Sequence, residues 1–188
     1  MKMANHTKDH VSAILRIRVS DDQGGLVYQK EQESDSFLQN FLLLLQAGLR
    51  GTAVAVIDAG NVSRSCLGFS GLVTAYDVTN SNIVVGSGIS PVTPADYKLA
   101  NQIMTLQYVP PLVAQPTTAV INGGYIESKM CDRTFNNHTD AEIDVNEVGI
   151  CVIASNFQIL ILRDVLGSVV SVLPNQTLQV TYLFRTAI

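Results

Sequence analysis

Four strand-like segments follow one another closely between residues 133 and 184, and they constrain the fold more than any other part of the chain. Residues 158–163 are apolar on both faces, a pattern typical of a central strand covered on each side. Residues 178–184 alternate apolar and polar side chains, which indicates a strand with one buried face. A Pro-Asn-Gln turn separates residues 178–184 from the preceding strand-like residues 169–173. The stretch therefore predicts a β-rich core that ends in a tight hairpin.

The N-terminal half adds a second hairpin. Residues 11–19 alternate apolar and polar side chains, and an Asp-Asp-Gln-Gly-Gly turn lets residues 26–30 return beside them. Further strand-like segments occupy residues 52–58, 83–86, 104–109 and 119–135, the last with a bulge or bend at Asn122-Gly123-Gly124. The sequence thus predicts a mainly β fold, an antiparallel β-sandwich of jelly-roll-like type.

Two helices are expected between the strands. Residues 35–48 carry N-cap side chains, good helix formers and a glycine stop, and their apolar residues cover most of the circumference. This pattern predicts an N-terminal helix buried on more than one side. Thr93-Pro94-Ala95-Asp96 combines an N-cap, a proline at the first helical position and a carboxylate three residues after the cap, which predicts a short helix over residues 94–103. In the loop before it, Gly86 and Gly88 are expected to supply backbone angles that other residues resist.

Length and composition predict one domain over residues 1–188, with a polar N-terminal arm at residues 1–10 and an exposed loop or arm at residues 110–118. Only 15% of the residues are charged and 47% are hydrophobic, so we expect faces that meet other subunits. A net charge of -4 gives no electrostatic footprint for nucleic acid or for an anionic membrane surface. Residues 1–10 lack the apolar core of a signal peptide, and no apolar run is long enough to span a bilayer, so a cytosol-like compartment is expected.

One position breaks the alternation of the third segment. From Asp140 onward the side chains alternate until Asn146, after which Glu147 falls on the apolar face. Either a bulge restores Glu147 to the surface, or Glu147 is buried and must be paired with a cation. Arg133 and Arg163 are the candidate partners. The sequence favours the buried structural pair.

No catalytic residues are predicted. The histidines lie in the polar N-terminus and, as His138, in a predicted turn, and none stands in a motif with a nucleophile. Asp140, Glu142 and Asp144 begin like a calcium loop, but the glycine and the bidentate glutamate of an EF-hand are missing, so only a looser calcium site remains as an alternative. The three cysteines are too widely spaced to indicate paired disulfides or a zinc site and are expected to be buried free thiols. No cofactor is indicated.

An ordered series of short motifs resembles a class of structural proteins in the virions of tailed bacteriophages. The series covers nearly the whole chain and runs through Asp35-Ser36-Phe37-Leu38-x-Asn40-Phe41, Ile83-Val84-Val85-Gly86-x-Gly88, Pro94-x-Asp96-Tyr97-x-Leu99, Arg133-x-Phe135-x-Asn137, Asn146-Glu147-Val148-Gly149, Leu162-Arg163-Asp164-Val165-Leu166 and Leu178-x-Val180-Thr181-Tyr182. Each motif is unspecific alone, and the order carries the resemblance.

The resemblance implies a non-enzymatic β-sandwich subunit that assembles in many copies. It implies a capsid decoration or head-fibre type of protein first, and a tail, neck or baseplate component as the alternative. The partners would then be copies of the chain itself and other virion proteins, and the location would be the virion, after synthesis in the host cytoplasm. A carbohydrate- or receptor-binding module is the rival from another class, although the chain has no Trp for an aromatic platform.

Overall fold

The computed structural model describes residues 11–34, 36–68, 82–109, 119–122, 124–154 and 157–187. The predicted arm at residues 1–10 and the predicted loop at residues 110–118 lie outside these ranges. Within them the protein is mainly β, with antiparallel sheets that pack together and one helix, so the predicted sandwich-like fold is confirmed.

The elements follow the chain in a simple order. They are β1 (Val11–Ser20), β2 (Leu26–Ser34), α1 (Gln39–Arg50), β3 (Val54–Ile57), β4 (Ser63–Cys66), β5 (Asn82–Gly86), β6 (Gln107–Val109), β7 (Val120–Asn122), β8 (Tyr125–Asn136), β9 (Ile143–Ala154), β10 (Phe157–Val172) and β11 (Thr177–Ala187). One sheet has the order β2-β1-β11-β8-β6, with β7 also paired to β8, and a second has the order β10-β9-β5. β3 and β4 form a separate hairpin.

The two sheets share one large apolar core. Leu15 of β1 and Val180 of β11 lie on the side of the larger sheet, while Ile150 of β9 and Ile159 of β10 come from the three-stranded sheet. All four side chains are fully buried. The alternating residues of β1 and β11 therefore point into a sandwich core, as their period predicts.

The last four strands are present, but the predicted final hairpin is wrong. β10 pairs with β9 in the three-stranded sheet, whereas β11 lies between β1 and β8 in the larger one. The turn between them does form, with the amide of Gln176 donating to the carbonyl of Leu173 at 3.1 Å. The turn therefore carries the chain from one sheet to the other, because alternation specifies a strand and its buried face but not its hydrogen-bonding partner.

β10 also differs from the prediction of a central strand, since it is the last strand of its sheet. Its outer edge is covered by the segment that leads into α1. The amide of Leu38 donates to the carbonyl of Ile161 at 3.0 Å, and the side-chain amide of Asn40 donates to the carbonyl of Leu160 at 3.2 Å. Covering the edge satisfies its carbonyls and explains how residues 158–163 can be apolar on both faces.

The N-terminal helix is displaced from the predicted residues 35–48 to Gln39–Arg50, and Gly51 ends it in a left-handed conformation (φ 63°). The prediction that it is buried on more than one side is wrong. Asn40, Leu44 and Ala47 form the buried face, whereas Leu42, Leu45 and Leu49 are exposed. The helix lies against the β10 edge and against β3, where the side-chain amide of Asn40 donates to the carbonyl of Ile57 at 2.8 Å. No helix in the described ranges reaches the length and apolarity of a membrane span.

The predicted short helix over residues 94–103 is wrong, because those residues form turns and irregular backbone. Half of the predicted capping arrangement forms, since the amide of Thr93 donates to Asp96 Oδ2 at 3.1 Å, but the hydroxyl of Thr93 donates to Asp96 Oδ1 at 2.7 Å instead of accepting from a helical amide. The helix does not continue because the amides of Ala100 and Asn101 donate to the carboxylate of Glu147 instead of to helical carbonyls.

The long strand expected over residues 119–135 is two strands, so a bend inside one strand is also wrong. β7 and β8 pair with each other, with Asn122 opposite Tyr125. Gly124 in the connection has a φ of 86°, which only glycine adopts readily. Asn122 and Gly124 therefore belong to a hairpin and not to a single bent strand.

Candidate functional site

The most connected polar group of the described residues centres on two charged side chains of the three-stranded sheet. Glu147 of β9 and Arg163 of β10 are 0% and 2% exposed. In the antiparallel ladder Glu147 faces Val165, so Arg163 is its diagonal neighbour. Arg163 Nε donates to Glu147 Oε2 at 2.8 Å. The structure therefore brings together two of the three residues considered for a buried pair.

The slip in the alternation explains where Glu147 lies. Val145 and Val148 are three residues apart, yet both pack in the large core. The β9–β10 ladder is irregular at this point, because its register shifts between Val165 and Val170. Glu147 is thereby turned to the outer face of its sheet, but a covering segment keeps it from solvent. The bulge and the buried pair, considered as alternatives from the sequence, occur together.

The covering segment comprises residues 87–103, which we call the strap. It has no helix or strand of its own among these described residues. Two of its amides, those of Gly88 and Asn101, donate to Glu147 Oε1 at 3.0 and 2.8 Å. The amide of Ala100 donates to Oε2 at 3.1 Å. With Arg163 included, the carboxylate accepts four hydrogen bonds, which matches its acceptor capacity.

Arg163 holds the middle of the strap. Its Nη1 donates to Asp96 Oδ2 at 2.7 Å, and its Nη2 donates to the carbonyl and the hydroxyl oxygen of Ser90 at 3.0 and 3.1 Å. Burial acts to lower the pKa of the guanidinium, but the hydrogen bonds and charges of Asp96 and Glu147 outweigh it and raise the pKa. Burial acts to raise the pKa of Asp96, but hydrogen bonds from Thr93 and Arg163, with the charge of Arg163, lower it.

Gly86 and Gly88 are required for space and not for unusual backbone angles, so the expectation about their angles is wrong. Neither is among the described glycines with positive φ. A Cβ added to Gly86 would lie 2.5 Å from Glu147 Oε1 and 2.6 Å from the carbonyl oxygen of Asn101. A Cβ added to Gly88 would also collide with Glu147 Oε1. The Gly-x-Gly spacing therefore lets the strap approach a buried carboxylate.

Arg133, the other candidate partner, lies elsewhere. Its Nη1 donates to the carbonyl of Ile83 at 2.8 Å, and its guanidinium carbon lies 4.0 Å from the centre of the Tyr108 ring. The side chain is buried, and this burial lowers its pKa. Arg133 thus links β8 to β5 and does not take part in holding the strap.

The alternative calcium residues do not converge. Asp140 and Glu142 are exposed, and Asp144 accepts a hydrogen bond from the hydroxyl of Ser171 at 2.7 Å. In the part of the chain that the structure describes, no group of three or more His, Cys, Asp or Glu side chains is arranged to hold a metal ion. Asp140 and Glu142 lie in the exposed connection before β9, and only Asp144 lies on that strand.

A second buried polar group was missed from the sequence. Asp164 is buried beside Arg163, and its Oδ2 accepts hydrogen bonds from the hydroxyls of Ser34 at 2.7 Å and Tyr182 at 2.8 Å. Burial, followed by the charge of Asp164, raises the pKa of Tyr182 well above its ordinary value. The sequence signal that could have indicated this group is the carboxylate of Asp164, which follows an apolar run. This group joins β2, β10 and β11 across the two sheets.

The three cysteines are free and buried. Burial raises the pKa of the Cys151 thiol to about 12 and raises the pKa values of Cys66 and Cys131 as well. At neutral pH these groups are therefore thiols, which are poor nucleophiles.

The fold and the site together define a mainly β protein whose two charged residues hold an irregular strap against a sheet. The contacts of Glu147 and Arg163 go to backbone groups, to each other, and to Ser90 and Asp96. Comparison with known proteins gives no matching family model, no similar curated protein and no similar solved structure.

Proposed function

We propose that this protein is a non-enzymatic structural subunit of a tailed-phage virion, and that it decorates the capsid or forms part of a head fibre in many copies. The ordered motif series supports the class of protein. The observation that carries the assembly role is the number of large apolar side chains left in solvent. Such residues scattered singly are normal, but concentrated groups mark interaction surfaces.

One region of the chain is enriched in exposed apolar residues. Fifteen large hydrophobic residues are exposed among the described residues, and six of them fall between residues 42 and 67. On α1, Leu42, Leu45 and Leu49 are 60%, 39% and 80% exposed, at the spacing of one helical stripe. Leu67, at 72%, follows β4. A subunit that meets neighbours through this region would cover these side chains.

The low charge of the chain supports the same role. Charged residues make up 15% of the sequence, against about 25% in a typical soluble domain. Few charges lower the cost of desolvating a surface when subunits meet. The buried Glu147–Arg163 pair fits this role as a device that fixes backbone shape.

The test is binding to particles. The purified chain is added to capsids that lack it, and bound copies are counted per particle by quantitative electrophoresis, while light scattering gives the oligomeric state in solution. We expect saturable binding at a copy number that matches the particle symmetry. Leu49→Glu should weaken the association, whereas Gln23→Glu, which adds the same charge in an exposed turn, should not.

Two results would refute the proposal. One is a chain that binds neither capsids nor tails and stays monomeric. The other is a monomer that binds only glycans, which would favour the receptor-binding alternative. Binding to tails or necks and not to capsids would support the virion role and shift the location to the tail component.

A further inference from the structure

The strap covers all three strands of the smaller sheet while burying little of itself. Leu99 is its one deeply buried large apolar side chain, and it packs in a small cluster with Val84 of β5, Cys151 of β9 and Leu160 of β10. A Cβ on Gly149 would lie 3.0 Å from Leu99, so the strap lies directly on the sheet backbone at this point. The rest of its attachment is mostly polar.

Most of that polar attachment passes through two adjacent side chains, besides backbone hydrogen bonds such as that from the amide of Gln39 to the carbonyl of Pro94 at 2.9 Å. Glu147 receives the amides of Gly88, Ala100 and Asn101, and Arg163 binds Ser90 and Asp96. Because Glu147 and Arg163 also bind each other, the contacts at the ends and in the middle of the strap depend on one ion pair. Hydrogen bonds that depend on the same ion pair are lost together when that pair breaks.

The sheet beneath does not depend on the strap. β9 pairs with β10 along most of its length and with β5 on its other side. The inner face of the same sheet packs Val148, Ile150 and Ile159 into the large core. Removing the strap therefore leaves the hydrogen-bond ladders and the main core in place.

From this arrangement we infer that the strap is a detachable cover, latched by Glu147, Arg163 and Asp96, which opens as one unit while the sandwich stays folded. Such sub-global opening is expected where a segment has few buried apolar contacts and its hydrogen bonds converge on a few residues. Opening uncovers Cys151 and Leu160. It also frees the outer edge of β5, because the amide of Ile103 now donates to the carbonyl of Val85 at 2.9 Å.

Two cysteines in the described ranges give a direct test. Cys151 lies in the cluster beneath the strap, whereas Cys131 lies in the large core between the sheets. The folded protein is treated with a thiol reagent at increasing sub-denaturing urea, and labelling at each cysteine is followed by peptide mass spectrometry. We expect Cys151 to be labelled faster and with a much weaker urea dependence than Cys131, since opening the strap exposes less surface than unfolding.

Asp96→Asn tests the latch without touching the sheet. Because this charge-assisted hydrogen bond is lost both when the strap opens and when the protein unfolds, its removal should raise the Cys151 labelling rate about tenfold or more and the Cys131 rate by a similar factor. Asp144→Asn, the same substitution on an exposed position of β9, should change neither rate. If the two cysteines share one labelling rate and one urea dependence in the wild-type protein, the strap opens only on global unfolding and the inference is refuted. A Cys151 labelling rate that is unchanged in Asp96→Asn would show that Cys151 becomes exposed without breaking this contact and would refute the latch.

Discussion

Glu147→Ala removes the carboxylate on which the strap is assembled. The substitution leaves the guanidinium of Arg163, 2% exposed, without its Nε acceptor. It also leaves the amides of Gly88, Ala100 and Asn101 without their acceptor. The mutant therefore keeps several buried donors that have lost their partner, which is the costly way to disrupt a buried ion pair.

The magnitude follows from these lost contacts. Removing one partner of a buried pair costs about 3–5 kcal/mol in the free energy of unfolding. Each buried amide left without an acceptor would cost about 1–3 kcal/mol more, the cost of an unsatisfied buried donor, if no water reached it. The costs of neighbouring groups are not additive, however, and water can enter beneath the strap. We therefore expect a loss of about 3–5 kcal/mol. For a chain of this size that corresponds to a fall in Tm of roughly 6–20 °C.

Urea unfolding followed by circular dichroism measures this loss, with Glu142→Ala as the matched control. Glu142 is exposed on the same strand region, and its removal should change stability by no more than about 0.5 kcal/mol. The double variant Glu147→Ala/Arg163→Ala should lose less than the sum of the two single variants, because it leaves no uncompensated charge. A loss below about 1 kcal/mol for Glu147→Ala would show that the carboxylate is solvated and would refute the reasoning.

Three further predictions concern the same framework. Gly86→Ala should destabilise the protein by roughly 1–3 kcal/mol in urea unfolding, since its Cβ would lie 2.5 Å from Glu147 Oε1. Gly48→Ala, whose Cβ would have nothing within 4 Å, should stabilise α1 by up to about 1 kcal/mol. Equal effects of the two substitutions would contradict the steric account. The lowered pKa of Asp96 contributes to stability at pH values above 3.8, the ordinary pKa of this carboxyl group. The stability difference between wild type and Asp96→Asn should therefore shrink as the pH falls through 3.8 and below. A pH-independent difference between about pH 7 and about pH 2.5 would contradict this. Asn137→Ala should lower stability by about 1–3 kcal/mol in thermal unfolding, because its fully buried side-chain amide donates to the carbonyls of Ala141 and of Val172 at the end of β10. An unchanged Tm would show that water replaces it.

Much of the secondary structure could be predicted because it is encoded locally. The alternation in residues 11–19 and 178–184 identified β1 and β11 and the faces they bury, since a period of two depends only on neighbouring residues. The interruption of the apolar–polar alternation at Glu147 likewise indicated where the strand departs from a simple period of two. The presence of α1 followed from its composition, although the helix passes through the predicted stop at Gly48 and ends at Gly51.

The candidate site could be predicted only in part. The sequence offered Arg133 and Arg163 as equal partners for Glu147, and nothing local distinguishes them. In the structure Arg163 is the diagonal neighbour across the β9–β10 ladder, while Arg133 reaches β5. The choice depends on strand register, which a single sequence does not specify.

What the sequence alone determined is therefore most of the strands, the buried faces of those that alternate clearly, and the one anomalous glutamate. The tertiary structure decided which strands pair, which arginine meets Glu147 and why residues 94–103 are not helical. The contacts responsible join residues far apart in the chain: Gly88 and Glu147 are 59 positions apart, and Asp96 and Arg163 are 67 apart. Local preferences act over a few residues, so a buried carboxylate that captures backbone amides from a distant segment overrides them without leaving a local signal.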